Sequence, residues 1–209
     1  MQENFIFTHS IQPQNLNANL KETLRYSGYK NLTSSFIENL SDTEKRLVTD
    51  AQQQIASVMM PKSVFIKLPI HAINDVVTKS TALSKNLTDC HSVYLFAATL
   101  GAKVDLLIQK YSKLDTPFAV FLQGAGAMYI EEYCDVLQNH ILENEKIDGN
   151  TLVPRFSPGY GDVPLSTQKL FFDLLKPEKI GLTLNDTFLM SPEKSVTAFV
   201  GVKGISSST

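Results

Sequence analysis

A long central stretch with helical periodicity constrains the fold most. Asp115-Thr116-Pro117 is a typical N-terminal helix signal, because the first two side chains can cap a helix and proline fits its first turn. We expect one helix from there to about Glu143. Its core face would carry Phe121, Ile130, Cys134, Leu137 and Ile141. The small residues Gly124-Ala125-Gly126-Ala127 indicate that another element packs closely against this helix.

Strand patterns lie on both sides of this helix. Residues 63–69 carry aliphatic side chains at every second position, as do residues 180–184 and 196–202, and these patterns predict strands. Residues 93–98 form a continuous apolar run that suits either a buried strand or the start of a buried helix, and the break at Thr99-Leu100-Gly101 favours the strand. Helices separate these strands without a regular βαβ repeat. The pattern therefore predicts an α+β fold rather than a doubly wound sheet.

The N-terminal part of the chain reads as helical. Pro13 can start a first helix, and Ser41-Asp42-Thr43-Glu44 resembles a capping box ahead of a second helix that ends before Pro61. We expect residues 1–62 to form a helical extension packed on a core of residues 63–209. A chain of 209 residues suits one compact domain overall.

Composition and sequence patterns limit the classes of partner and the cellular compartment that we expect. The net charge is −2 and no basic cluster is present, so we expect no nucleic-acid partner. No apolar run is long enough to span a bilayer, and the N-terminus lacks a secretory signal pattern, so we expect no membrane association. Two cysteines, Cys90 and Cys134, are too few for a disulfide framework. These features are typical of a cytoplasmic protein.

The segment from Arg155 to Tyr160 is the strongest functional signal. Ser157-Pro158-Gly159-Tyr160 predicts a type II turn, in which proline fits the second position and glycine supplies the positive φ of the third. Such a turn exposes backbone donors and acceptors. Arg155 could hold a carboxylate, and Tyr160 could lie against a cation or a base. S-adenosylmethionine offers all three partners; a surface turn before a helix is the alternative.

Three motifs in order resemble one protein family. Arg155 to Tyr160 comes first, then the segment 180–192 with its Met190-Ser191-Pro192, and then Ser195-Val196-Thr197. This order and spacing resemble the activation domain of vitamin B12-dependent methionine synthase, in particular its short stand-alone versions. The match covers residues 155–202, with a weaker one through residues 97–101 and the helix around Glu131-Glu132.

The resemblance implies a fold, a ligand and site residues. The fold would be a mostly antiparallel or mixed sheet with packed helices. S-adenosylmethionine would bind through Arg155, Ser157, Gly159 and Tyr160. A helix glutamate contributes to the site in the family, and Glu132 is the candidate here.

The resemblance also implies a role in a cobalamin-dependent methionine synthase system. The chain would support the reductive methylation of cob(II)alamin carried by a separate protein, either a methionine synthase that lacks its own activation domain or another corrinoid protein. A flavodoxin- or ferredoxin-type protein would supply the electron. The alternative is a non-catalytic docking module that keeps the fold but has lost S-adenosylmethionine binding.

Other kinds of site find little support. Gly124-x-Gly126 lacks the third glycine and the preceding strand of a dinucleotide-binding loop. The four histidines are scattered and none has metal-ligand spacing, so we expect no metal site. We likewise find no candidate for a catalytic acid, base or nucleophile.

Overall fold

The computed structural model describes residues 5–205. Seven strands are present in this range: β1 Phe7–Ser10, β2 Lys62–Pro69, β3 Ser92–Thr99, β4 Asn150–Leu152, β5 Thr183–Leu184, β6 Met190–Ser191 and β7 Ser195–Gly204. Eight α-helices accompany them in the same range: α1 Leu20–Tyr26, α2 Ser34–Glu38, α3 Asp42–Val58, α4 Asn74–Val77, α5 Thr81–Asn86, α6 Ala102–Leu114, α7 Thr116–Ile147 and α8 Gln168–Leu175. Short 3₁₀ turns cover Pro13–Asn15, Ile70–Ile73, Leu165–Thr167 and Pro177–Ile180.

A five-stranded antiparallel sheet organises the fold. Its strand order is β1-β2-β3-β7-β4, and β5 pairs with β6 in a separate two-stranded sheet. The central strand β3 is buried over its whole length, which explains its continuous apolar sequence. The prediction of an α+β fold with a mostly antiparallel sheet and packed helices is confirmed.

Helices cover both faces of the sheet. Phe96 of β3 belongs to a core shared with α1, α3, α6 and α7, whereas its neighbour Leu95 belongs to a second core shared with α5 and α8. This division follows from the strand geometry, because successive side chains point to opposite faces. Residues 63–66 of β2 are likewise buried on both faces rather than on the single face that the alternation suggests.

The two long helices begin where the sequence predicts. Glu44 N donates to Ser41 Oγ over 3.2 Å and Ser41 N donates to Glu44 Oε2 over 3.1 Å, so the capping box of α3 is confirmed. Asp115 Oδ1 accepts from Phe118 N over 3.0 Å and caps α7, which continues past the predicted end to Ile147. Within residues 5–205, no helix combines the length and the hydrophobicity needed to cross a bilayer.

Two segments differ from the sequence prediction. The N-terminal segment is not helical throughout, because β1 pairs with β2 and forms an edge of the central sheet. The predicted strand at residues 180–184 is mostly absent from the sheet. Pro177 begins a 3₁₀ turn there, Gly181 follows with a φ of 84°, and only Thr183–Leu184 remains extended.

The close packing of α1 on α7 depends on Gly124. A Cβ atom at this position would lie 2.1 Å from Ser27 Oγ and 2.6 Å from the Thr23 carbonyl oxygen. Such distances are shorter than van der Waals contact, so a side chain here must push α1 away. The expected close packing at the small residues of α7 is confirmed.

We expect Gly124→Ala to lower the free energy of unfolding by about 1–3 kcal/mol, the usual cost of overpacking a tight contact. Gly126→Ala is the matched control, because the atoms nearest to its Cβ would be side-chain carbons of Lys194, at 3.0–3.3 Å, rather than backbone. The free energy of unfolding of the control should stay within about 1 kcal/mol of the wild-type value, because the higher helix propensity of alanine offsets part of the contact cost. Urea denaturation of the two variants measures the difference, and equal midpoints would contradict the packing argument.

Candidate functional site

The turn after Arg155 has the predicted geometry. Tyr160 N donates to the Ser157 carbonyl over 3.2 Å, and Gly159 has a φ of 89°. A positive φ at the third residue is what a type II turn requires. A second turn follows directly, with Gly161 at a φ of 56° and Val163 N donating to the Tyr160 carbonyl over 3.1 Å.

Two amide N–H groups of this turn are already used, whereas two of its carbonyls are free in the part of the chain that the structure describes. Gly159 N donates to the Val163 carbonyl over 2.9 Å, and Tyr160 N is also used within the turn. No group in residues 5–205 donates to the carbonyls of Pro158 or Gly159. The expectation of free donors is therefore wrong for these two amides, and the turn can instead accept hydrogen bonds from a ligand.

Two anchors fix the position of the turn. Phe156 exchanges backbone hydrogen bonds of 2.9 and 2.8 Å with Phe199 of β7. Asp162 accepts from the Ser80 hydroxyl and from the backbone N–H groups of Thr81 and Ala82 at the start of α5. The hydrogen bond from Ser80, followed by those from the backbone, lowers the pKa of the Asp162 carboxyl. The turn is thus held between the sheet and α5.

A cavity of about 370 Å³ lies beside the turn. This volume falls in the range of roughly 300–1,000 Å³ that is common for small-molecule sites. The walls come from the turn, from β7 and from single residues of α7, α8 and β6. They are Glu131, Arg155, Phe156, Ser157, Pro158, Tyr160, Gln168, Met190, Ser195, Val196 and Thr197.

Arg155 lines this cavity but is already bound by α7. Its Nη2 donates to Glu131 Oε2 over 2.6 Å, while its Nη1 donates to Asp135 and, over 3.3 Å, to Gln138 Oε1. Burial by itself lowers the pKa of the guanidinium, but the hydrogen bonds to Asp135 and Glu131 outweigh it and raise the pKa above its ordinary value. The guanidinium is therefore cationic and held in a defined orientation.

The structure brings together most of the predicted site residues. Arg155, Ser157 and Tyr160 line the cavity. Gly159 does not, and its contribution is the backbone conformation of the turn. Tyr160 is 70% exposed at the cavity rim.

Glu132, the predicted acidic residue, does not line the cavity. Its Oε1 accepts from Asn17 Nδ2 over 3.0 Å and from Asn17 N over 3.3 Å, so it ties the N-terminal segment to α7. The helix carboxylate that lines the cavity is its neighbour Glu131. Adjacent residues on a helix point in different directions, and the sequence alone does not show which of the two faces the turn. The structure therefore favours Glu131 over Glu132 as the acidic residue of this site.

Sequence reasoning missed Asp135 and Gln138, two of the three α7 residues that hold Arg155. Glu131, Asp135 and Gln138 are spaced i, i+4 and i+7, which places them on one helix face. The spacing can be read from the sequence, but the contact of Arg155 with this helix face depends on the tertiary fold. Within residues 5–205, no group of three or more His, Cys, Asp or Glu side chains has an arrangement that could hold a metal ion.

Comparison with known proteins adds one finding. The chain is similar to a solved structure described as the MetH reactivation domain bound to AdoHcy, with a TM-score of 0.66 over 96% of this chain and 79% of that chain. The chain has a reactivation-domain fold. The sequences are 14% identical, so the likeness concerns the fold alone. No protein-family model and no curated protein matches the sequence.

The reactivation-domain fold thus carries a cavity with one cation, one carboxylate, free backbone acceptors and an aromatic rim. A guanidinium and a carboxylate side by side can pair with the two charges of an amino acid. Carbonyl oxygens can accept from the amino group of a base, and the Tyr160 ring can face a cation. These groups can therefore bind a ligand that combines an amino-acid group, a hydrogen-bond donor and a cation.

Proposed function

We propose that this protein is an S-adenosylmethionine-binding reactivation module. It would support the reductive methylation of cob(II)alamin carried by a separate methionine synthase or another corrinoid protein. In this reaction the cobalt takes up one electron from a flavodoxin- or ferredoxin-type donor, and the methyl group moves from the sulfonium to the cobalt, leaving AdoHcy. The chain would act within a methyltransferase system without a catalytic acid, base or nucleophile of its own.

The observation that carries the proposal is the cavity beside the Arg155 turn, on a fold similar to a reactivation domain bound to AdoHcy. Arg155 would hold the methionine carboxylate through charge-assisted hydrogen bonds. The Pro158 carbonyl would accept from the rest of the ligand, Ser157 would line its binding surface, and Gly159 would keep the turn in its conformation. Tyr160 would lie near the sulfonium at the cavity rim, where a partner can approach.

The role of the protein in this proposal is orientation. The difficult chemistry belongs to cobalt, and the chain binds the methyl donor and presents it. An exposed aromatic residue at the rim suits this task, because the transferred methyl group has to reach a metal on another protein.

One observation favours the alternative of a docking module without a ligand. Arg155, the residue expected to hold the ligand carboxylate, is already paired with Glu131 and Asp135. If these pairs were stronger than any pair with a ligand, the fold would remain while binding was lost. Binding and reactivation measurements separate the two proposals.

The reactivation assay follows the cob(II)alamin absorbance of an oxidised corrinoid partner after addition of this protein, S-adenosylmethionine and a reductant. Conversion to methylcobalamin supports the proposal. Its absence, with a partner that a known reactivation domain does convert, contradicts it. Binding of S-adenosylmethionine without conversion would leave a ligand-binding module that serves a different reaction.

We expect Tyr160→Ala to slow this conversion by about three- to thirtyfold, the range for loss of a cation–π contact. The matched control is Leu114→Ala, because Leu114 is equally exposed, at 70%, and lies outside the cavity at the end of α6. Both variants should unfold at the same temperature as the wild type. Equal conversion rates in the two variants would remove Tyr160 from the proposed mechanism.

A further inference from the structure

The two ends of the Arg155 guanidinium are held from different sides. Nη2 pairs with Glu131, and Glu131 is also a wall of the cavity. Nη1 pairs with Asp135 and Gln138, which do not line the cavity and instead border a separate depression that Arg155 also lines. The end of the guanidinium that a ligand in the cavity can reach is therefore occupied by the Glu131 carboxylate.

The charges around Arg155 do not balance. One guanidinium faces two carboxylates, which leaves a net charge of −1. A ligand that brings only a carboxylate must displace Glu131 and then lie close to its unpaired negative charge. A ligand that also carries an ammonium group offers the displaced carboxylate a new partner. The arrangement therefore disfavours simple acids and favours zwitterions.

The geometry of an amino acid suits such an exchange. Its carboxylate and ammonium groups are attached to the same carbon atom, so a carboxylate bound at Nη2 puts the ammonium beside it. Glu131 is 38% exposed at its side chain and can rotate. Asp135, at 60%, and Gln138 do not line the cavity, so a ligand there leaves their hydrogen bonds to Nη1 in place. The guanidinium does not need to move.

We propose that Glu131 is a specificity-determining residue that exchanges partners when the ligand binds. In the empty site it occupies the position on Arg155 that the ligand carboxylate takes, and in the filled site it binds the ligand ammonium group. The site thereby selects a zwitterionic amino acid over the same molecule without its amino group. This inference rests on the proposed function, since it concerns the same cavity.

The test compares two ligands by calorimetry: AdoHcy and its analogue in which hydrogen replaces the α-amino group. The wild type should bind AdoHcy at least about tenfold more tightly than the analogue, as expected for one charge-assisted hydrogen bond. In Glu131→Gln this preference should fall by about tenfold, because AdoHcy binds more weakly and the analogue no longer meets an unpaired carboxylate. The control is Glu143→Gln, an exposed position with the same charge change on the same helix, and it should keep the wild-type preference.

Each outcome decides between the claims. A preference that is equal in the wild type and in Glu131→Gln overturns the exchange but leaves the proposed function standing. Binding of the analogue to Glu131→Gln, with neither ligand binding to the wild type, supports Glu131 as the blocking carboxylate and refutes the proposed function. No binding of either ligand to any variant refutes both. Thermal unfolding of Glu131→Gln confirms that the comparison is made on folded protein.

Discussion

Gly159→Val should abolish the binding of S-adenosylmethionine while leaving most of the fold intact. Gly159 has a φ of 89°, a conformation that costs a β-branched residue roughly 1–3 kcal/mol. The nearest atom to a Cβ here is Leu165 Cδ1 at 3.4 Å, so the penalty comes from the backbone rather than from a clash. The variant would relax by changing the turn, and this would displace Arg155, Ser157 and Tyr160 together.

The matched control is Gly181→Val. Gly181 has a similar φ of 84° and no atom near its Cβ position, and it does not line the cavity. Both variants should lose a similar amount of stability in urea denaturation, but only Gly159→Val should lose ligand binding in calorimetry. Retained affinity in Gly159→Val would show that the turn conformation does not support the site.

Arg155→Ala should weaken the binding of S-adenosylmethionine by roughly ten- to a hundredfold, which corresponds to the loss of a charge-assisted pair. The side chains of Glu131 and Asp135 remain in the variant, and without the guanidinium they repel the ligand carboxylate. The affinity of Arg155→Lys for S-adenosylmethionine should lie between those of Arg155→Ala and the wild type. A lysine keeps the charge, but its single ammonium nitrogen cannot bind α7 and the ligand carboxylate through two separate nitrogens as the guanidinium does.

The control for Arg155→Ala is Arg46→Ala, which removes the same charge from an exposed position on α3. Its affinity should match that of the wild type. If the two variants bind equally well, Arg155 is a structural partner of α7 rather than a ligand-binding residue, and the docking-module alternative gains support.

Much of the fold could be predicted because its signals are local. The cap at Asp115, the capping box at Ser41 and Glu44, and the turn at Gly159 each depend on residues within a few positions of one another. The buried strand β3 was also predictable, because its apolar run is bounded by a clear break at Gly101. The sequence of each of these segments is therefore enough to predict its local structure.

The remaining features depend on contacts between distant parts of the chain. Strand β1 is only four residues long and mostly exposed, and its pairing with β2 has no local signal. Arg155 contacts α7 residues that lie 17 to 24 positions before it in the sequence. The choice between Glu131 and Glu132 follows from the rotation of α7 against the turn, which only the packed structure defines.

The most direct test of the central claim is a calorimetric titration of the wild-type protein with S-adenosylmethionine. The cavity beside the Arg155 turn predicts saturable binding at one site per chain, with an affinity tighter than about 1 mM, or a binding free energy beyond about −4 kcal/mol. A titration that shows no saturation at about that concentration, with folded protein, would contradict the claim.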